Sequence, residues 1–436
     1  MSHEVLGLVG LALLFVVIFI GFPIAFTLGA LSLIIGLIAL GPVVLDLAVL
    51  QTFSVMQDAV LASIPFFLFM GFLLEQSGLM ERLFTGIQQL LAGLRGSLYL
   101  AVLITATIFA AATGIVGSSV TLLGVMAAPS MTKSGYDVRM SAGAITAGGT
   151  LGILIPPSVM LIVMGPVVGV PATDLFAAAV IPGLMLSGLF ITWCLVRCWL
   201  NPALGPALPM ELRPKSKWPV IKDLAIGVIP VIVVILSTLG VILMGIATPT
   251  DAGAIGCAAT FVLTVLSGKL TVAKIRACMR STLEISSMIL LLVVASNLFG
   301  AVFSRLGSAE FIANALTSLS LPPTVMLILI LLVIFLLGWP LEWVPIVLIV
   351  LPITLPIVQA AGIDLIWFST LVAVTLQTAW LSPPVALSAY FLRGVVPSWR
   401  LTDIYAGMMQ FLFLQVLAVG FLLAFPKIAT WLPTVS

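Results

Sequence analysis

The sequence predicts an all-α polytopic membrane protein made of two inverted copies of one helical unit, each copy containing a re-entrant hairpin. Three observations carry this: an almost uniformly apolar composition, an internal repeat, and opposite charge in equivalent loops of the two copies.

Of 436 residues, 62% are apolar and 7% charged, and the mean hydropathy is +1.34. A soluble domain carries roughly a quarter charged residues. A core of this size cannot bury so much apolar surface, so the bilayer must be the solvent. Apolar runs of about 17–25 residues recur along the chain, enough to cross a hydrocarbon core of ~30 Å as helices. The short alternating segments of a β-barrel do not occur. The first run, Val5 to Ile20, follows His3 and Glu4 rather than a basic segment and has no small-residue cleavage site behind it, so it reads as a spanning helix.

Net charge is +2, which gives no basis for binding nucleic acid. The sole histidine is His3, so no Ser/His/Asp, Cys/His or histidine-metal constellation exists. Cys194 and Cys198 share a helix face but lack two further ligands, and with Cys257 and Cys278 they read as small apolar fillers. The chain is not expected to be an enzyme.

The repeat emerges from shifting the sequence on itself. A shift of 227 lays Pro129 on Pro356, Gly135 on Gly362, Asp137 on Asp364 and Pro156-Pro157 on Pro383-Pro384. Shifts of 226 and 229 align Pro23 with Pro249 and Thr173-Asp174-Leu175-Phe176-Ala177 with Thr402-Asp403-Ile404-Tyr405-Ala406. Their common order and near-constant offset indicate duplication.

Lys and Arg mark the cytoplasmic side. Nine of the 17 fall in two stretches: Arg197, Arg213, Lys215, Lys217 and Lys222, then Lys269, Lys274, Arg276 and Arg280. The counterpart of 269–280 is 42–53, which has Asp46 and no basic residue. The counterpart of 357–366, which has none, is 130–139 with Lys133 and Arg139. Equivalent loops of opposite character are what an inverted repeat requires.

Five crossings and one hairpin per copy satisfy this pattern. The first copy, 1–197, places crossings at 5–21, 25–41 and 58–78, an amphipathic arm at 79–96 and a hairpin at 98–128. A broken crossing at 142–169 and a last crossing at 174–197 complete it. In the arm, Leu79, Leu83, Ile87, Leu90 and Leu94 gather on one side. The stretch 198–222, rich in Pro, Gly and basic residues, is a cytoplasmic linker. The second copy, 223–436, has crossings at 224–246, 250–267 and 284–304 and an arm at 305–320. Its hairpin is at 323–356, its broken crossing at 367–393 and its last crossing at 404–425. Both termini then lie outside, with only Arg305 and Lys427 of the basic residues on that side.

Irregular backbone at membrane depth is tolerated only where protein buries it or a cavity borders it. Four breaks are therefore the candidate site. The first contains Thr113, Gly114, Gly117, Ser118 and Ser119, and the second Thr150, Pro156, Pro157 and Ser158. The third runs from Gly338 through Glu342 and Trp343 to Pro345, and the fourth from Gln377 through Thr378, Trp380 and Ser382 to Pro383 and Pro384. Carbonyls freed by proline and the hydroxyls of Ser118, Ser119, Ser158, Thr378 and Ser382 suit Na⁺, and half-helix N-termini suit a carboxylate. Any single break also has a bland reading, since Pro and Gly often only kink a membrane helix. Glu342 reads either as a functional intramembrane acid or as a hairpin-tip residue meeting water or backbone amides. Glu75, ending the apolar run 64–74, reads as interfacial, and Asp251 behind Pro249 as a helix-start residue.

These residues carry a family resemblance. Phe109 to Ser119, Gly135-Tyr136-Asp137 and Leu154 to Ser158 resemble the large, DctM-type membrane subunit (M subunit) of tripartite ATP-independent periplasmic (TRAP) transporters. Thr248-Pro249-Thr250-Asp251-Ala252 resembles the family's Thr-Pro-Thr-Glu-Ala run, and Ser382-Pro383-Pro384 its Thr-Pro-Pro. Gly338 to Trp343 resembles its second hairpin segment, where an acid is usual. The resemblance implies an elevator-type ion-coupled symporter in the bacterial inner membrane, with Na⁺ as coupling ion. It also implies two partners, a small four-helix (Q-type) membrane subunit and a periplasmic solute-binding protein. That protein would deliver an organic acid: a carboxylate, keto acid or hydroxy acid. The competing readings are a stand-alone ion-coupled dicarboxylate or anion carrier of the same fold and a membrane scaffold without a transport cycle.

Overall fold

The computed structural model describes residues 2–207, 213–214, 216–318, 321–339, 341–383 and 385–435, and every regular element among them is helical. The first half runs α1 (His3–Ile20), α2 (Ile24–Leu40), α3 (Val43–Met56), α4 (Ser63–Gln76) and α5 (Leu79–Leu90). It continues with α6 (Ser97–Thr113), α7 (Val116–Lys133), α8 (Val138–Thr150), α9 (Val159–Val168) and α10 (Ala172–Leu200). In the second half, α11 starts at Lys217 and passes through a π-helical turn, Leu236–Gly240, to Leu243. Then come α12 (Pro249–Leu266), α13 (Val272–Arg305), α14 (Ser308–Thr317), α15 (Pro323–Leu337) and α16 (Trp343–Ala360). The chain ends with α17 (Leu365–Leu381), α18 (Leu387–Val395) and α19 (Leu401–Ala424) before a short C-terminal turn.

Equivalent sequence signals make equivalent structure. Asp137 and Asp364, 227 apart, each cap a helix by accepting from an amide three residues on, Met140 N at 2.8 Å and Trp367 N at 2.7 Å. Gly135 and Gly362, two residues earlier, take φ of 70° and 66°, a conformation that favours glycine. Thr248 caps α12 with Pro249 in its first turn.

Seven helices among the described residues are long and apolar enough to span a bilayer, or eight counting α4 with α5, which meet at 57°. The first limb of the second hairpin, α15, has 15 residues. At 1.5 Å per residue it is about 22 Å long, short of a ~30 Å core. That length suits a limb that enters and turns back.

Three stretches differ from the sequence expectation. Residues 42–53, expected as a loop, form most of α3, and the crossing expected at 58–78 begins only at Ser63. The cause is local: Asp58 accepts from Val60 N (2.8 Å) and Leu61 N (3.2 Å), which stops one helix and starts the next. The equivalent residues of α13 form a single helix of 34 residues. The linker is shorter than 198–222, because α10 runs to Leu200 and Ser216 caps α11. Leu204 and Gly205 are fastened to the hairpin base, where Tyr99 Oη donates to Leu204 O (2.6 Å) and Gly96 N to Gly205 O (2.8 Å). In the first arm, Leu79, Leu83 and Ile87 are buried, but Leu94 lies beyond α5 and is exposed.

The packing divides the chain into an outer and an inner set of helices. Exposed apolar side chains such as Val9, Val16, Ile34, Ile38, Ile229 and Val262 crowd α1, α2, α11 and α12, while α6, α8 and α9 are buried nearly throughout. Side chains of α12 donate to carbonyls of α4 from three positions spaced seven residues apart: Thr250 to Ala59 just ahead of α4 (2.5 Å), Cys257 to Phe66 (2.9 Å) and Thr264 to Leu73 (3.4 Å). The constant separation of 191 means that the two helices run parallel. Each arm lies against the first helix of the other half. A Cβ on Gly86 of α5 would sit 3.0 Å from Leu224 of α11, and Ser308 of α14 donates to Glu4 O of α1 (2.9 Å).

The two halves press together most closely where α8 crosses α19. Arg139 pairs with Asp403 at 3.0 Å, and a Cβ on Gly407 would lie 1.8 Å from Arg139 O. Gly407→Val should therefore destabilise the protein by about 3 kcal/mol, an overpacking cost. Gly420→Val, with open space around it, should change stability by less than about 0.5 kcal/mol. Thermal unfolding in detergent compares the pair; equal losses would overturn this account of the crossing.

Candidate functional site

Each break has its own local cause. At the first, Gly114 ends α6 at φ 63°, Ile115 is extended, and α7 begins at Val116 without a side-chain cap. At the second, α8 tightens into a 3₁₀ turn, Leu151–Ile153, passes a cis Pro156-Pro157 bond and restarts at Val159. Ser158 closes that turn by donating to Ile153 O (2.5 Å). At the third, Glu342 is extended and precedes α16. At the fourth, Ser382 is extended and Ala386 sits at φ 34°, while Ser388 donates back to Trp380 O.

The fold brings these breaks together in pairs. A Cβ on Gly114 would lie 3.5 Å from Pro157 O and 3.8 Å from Val159 N, so the first break rests on the second. A Cβ on Gly338 would lie 2.9 Å from Ala379 Cβ, so the third rests on the fourth. Across the two pairs, Gly117 abuts the Phe391 ring, 3.0 Å from where its Cβ would be. A cavity of 440 Å³ remains between the hairpin tips and α4 and α13. Gly114, Gly117, Ser118 and Glu342 line it, as do Val116, Val159 and Trp343, the first residues of α7, α9 and α16. Three half-helix N-termini, each the positive end of its dipole, thus border one space.

The other candidate residues stand behind this wall. Thr113 and Ser119 are buried with their hydroxyl oxygens 3.4 Å apart, and Thr113 donates to Phe109 O (3.1 Å). Ser382 donates to Thr378 O (2.7 Å), and Thr378 donates to Thr375 O (2.5 Å). A hydroxyl that gives its proton to a carbonyl keeps lone pairs that can face a cation. Thr378 also borders a separate, apolar cavity of 330 Å³ between α15, α17 and α19. Thr150 lies deeper, where Gln377 donates to its carbonyl (3.1 Å) and Gln415 to its hydroxyl (3.3 Å). Thr150 and Gln377 are 227 apart, so positions aligned by the repeat touch each other. Pro156 and Pro157 are buried and Pro383 is half-buried; Pro384 lies outside the described residues. Among the described residues no three His, Cys, Asp or Glu side chains gather into a metal site.

Three acids need comment. Glu342 is exposed, and the space it faces is the cavity. Glu75 is not interfacial: it is half-buried and accepts from Ser118 Oγ (2.5 Å), joining α4 to the hairpin tip. Its position at the end of an apolar run was the only sequence signal. Glu284 lines the cavity from α13 and pairs with Arg280 at 2.7 Å. An acid one turn beyond a basic cluster gives no hint of such a role.

The family model described as "Tripartite ATP-independent periplasmic transporter, DctM component" matches residues 11–428. The chain belongs to this family. It is the large permease subunit of a TRAP transporter, a membrane transport protein and not an enzyme. The C4-dicarboxylate TRAP transporter large permease protein DctM of Rhodobacter capsulatus is 29% identical to the permease, over 99% of this chain and 98% of that one. The sialic acid TRAP transporter large permease protein SiaM of Vibrio cholerae is 27% identical, over 95% and 96%. The crystal structure of the Alcanivorax borkumensis YdaH transporter, described as having an unusual topology, covers 97% of the permease and 98% of its own chain. Its TM-score is 0.63 at 16% identity, a likeness of fold alone.

The Ser118–Glu75 bond ties the first hairpin of the permease to α4. A double-mutant cycle of Ser118→Ala and Glu75→Gln, read by thermal unfolding, should give a coupling energy of about 1 kcal/mol. Additive effects would mean the contact contributes nothing.

Proposed function

We propose that the permease is an inner-membrane Na⁺ symporter that imports an organic acid delivered by a periplasmic binding protein, in complex with a small membrane subunit. The observation that carries this reading is the cavity where three half-helix N-termini and both hairpin tips meet. N-terminal dipoles suit the carboxylate of the solute. Two sets of oxygens flank the cavity: Ser118, Ser119 and Ser158 with the carbonyls of the first two breaks, and Thr378 and Ser382 with those of the fourth. These are the proposed Na⁺ ligands. A hard monovalent cation takes such neutral oxygens, and its charge offsets that of the incoming acid. The binding protein and the small subunit follow from the family, whose description is tripartite and periplasmic.

In this reading the hairpins and broken helices move together as an elevator against α1, α2, α4 and α11–α13. The arms α5 and α14, packed on α11 and α1, belong to the fixed part, and Ser118–Glu75 is a bond that the motion must break. Two observations support inverted halves. The helices α4 and α12 run parallel although α12 is the counterpart of α2, and the Thr150–Gln377 contact suits a pseudo-two-fold axis. The linker would face the cytoplasm.

Na⁺ should raise the thermal midpoint of the purified permease by linkage, more than Li⁺ and far more than K⁺ at matched ionic strength. Ser119→Ala and Ser382→Ala should each reduce the Na⁺-specific shift. Equal shifts with the three cations would sink the Na⁺ assignment. For orientation, Ser216→Cys, with the native cysteines replaced, should react with an impermeant thiol reagent only after cells are permeabilised. Labelling of intact cells would reverse the topology. Uptake into proteoliposomes should require the binding protein; uptake without it would favour a stand-alone carrier.

A further inference from the structure

The walls of the central cavity are chemically one-sided. Four aromatic rings line it, Phe72, Trp343, Trp380 and Phe391, and Trp380 stacks on Phe391 with ring centroids 6.4 Å apart and planes 27° apart. Its ionisable walls are Glu284 and Glu342, and no Lys, Arg or His lines it among the described residues. Arg280, one turn from Glu284 on α13, pairs with that carboxylate at 2.7 Å on the exposed side and does not line the cavity. The hydroxyls on the wall are those of Ser118, Thr121 and Ser281, and Ser118 is already donating to Glu75.

We propose that the solute of this permease is a monocarboxylate with a flat apolar body, of the arylalkanoate type, whose ring lies against Trp380 and Phe391. This rests on the organic-acid reading above and narrows it. One carboxylate has a place at the helix N-termini of the breaks. A second carboxylate would meet Glu342 and Glu284 with no cationic side chain on the wall, so the site disfavours a dicarboxylate. A polyhydroxylated acid would leave most of its hydroxyls facing aromatic and aliphatic surface, and each unpaired polar group costs binding energy. An apolar ring gains on both counts, since it covers apolar wall and can pack against the sides of Trp380 and Phe391 that line the cavity. The relatives named for C4-dicarboxylates and sialic acid would on this basis differ from this permease in what their cavities accept.

The test is a thermal-shift titration of the full-length permease in saturating Na⁺, with 3-phenylpropanoate, phenylalanine, succinate and gluconate as probes. The phenylpropanoate should stabilise the protein at the lowest concentration. Phe391→Leu, which keeps apolar bulk at a partly exposed ring, should weaken it by about three- to tenfold. Trp380→Leu should act the same way, and Phe391→Leu decides if the buried tryptophan variant fails to fold. Glu342→Gln should let succinate gain on phenylpropanoate, an effect that a merely structural role for this side chain would not produce. If succinate or gluconate binds as well as phenylpropanoate or better, this inference falls and the organic-acid reading stands. If phenylalanine binds better, the class is a zwitterion held at Glu342, and the inference falls equally. If none of the three carboxylates lacking an amine shifts the midpoint, both readings fall.

Discussion

Unpaired backbone amides and carbonyls cannot be left in hydrocarbon, and the rest of this architecture depends on that constraint. Each of the four breaks exposes such groups at what is expected to be membrane depth. Gly114 lies on Pro157 and Val159, and Gly338 on Ala379, so each break is covered by another. Side chains satisfy part of what remains: Ser158 returns a proton to Ile153 O, Ser382 to Thr378 O and Ser388 to Trp380 O. Covering the breaks in pairs brings the hairpins and broken helices together, with α6, α8 and α9 buried nearly throughout and one face of α15 left exposed. The cavity is what the pairs leave between them.

Much of this was legible because duplication doubles every signal. A Gly-x-Asp turn in one copy is a weak cue, but Gly135 with Asp137 and Gly362 with Asp364 mark the same turn and cap twice. Hairpin limbs, broken helices and the first arm follow from such cues and from apolar run length. What stayed hidden depends on single residues or on distance. The α3–α4 break rests on Asp58, whose counterpart lies inside the unbroken α13. Of the fifteen candidate site residues, Gly114, Gly117, Ser118 and Glu342 reach the cavity, whereas Phe72, Glu284, Trp380 and Phe391 join it from separate helices. Trp380 falls inside the fourth break, but no local pattern distinguishes Phe72, Glu284 and Phe391 from ordinary membrane-facing or helix-end residues; only the crossing of helices selects them.

The two copies share a backbone plan without sharing chemistry. The first hairpin tip carries Gly117, Ser118 and Ser119, with the small residues close against Phe391 and the hydroxyls within reach of Thr113 and Glu75. The second tip carries Glu342 and Trp343 at the corresponding bend. Backbone symmetry supplies paired helix N-termini, and side-chain asymmetry makes the two ends of the cavity different. A solute with one charged end and one apolar end fits such a space in one orientation, which a symmetric cavity would not enforce.

The same asymmetry bears on how motion could be timed. Ser118 belongs both to the cavity wall and to the contact with α4, so on the proposed reading one hydroxyl would report on ligand and on position together. A solute acceptor that takes the Ser118 proton would compete with Glu75 for it, whereas an ion facing the hydroxyl's lone pairs would not. On the proposed reading, a solute acceptor at Ser118 would then weaken the tie between hairpin and α4, while an empty site keeps it. Two states biased by a shared group are the minimum that coupling requires, since a ligand moves an equilibrium only through its differential interaction with the two states. Gly71, one turn before Glu75, holds the backbone close enough for this: a Cβ there would lie 2.7 Å from Thr113 O, so α4 and the hairpin tip meet main chain to main chain. On the proposed reading, latch and ligand wall would then be a few residues of one hairpin, with no long relay between them.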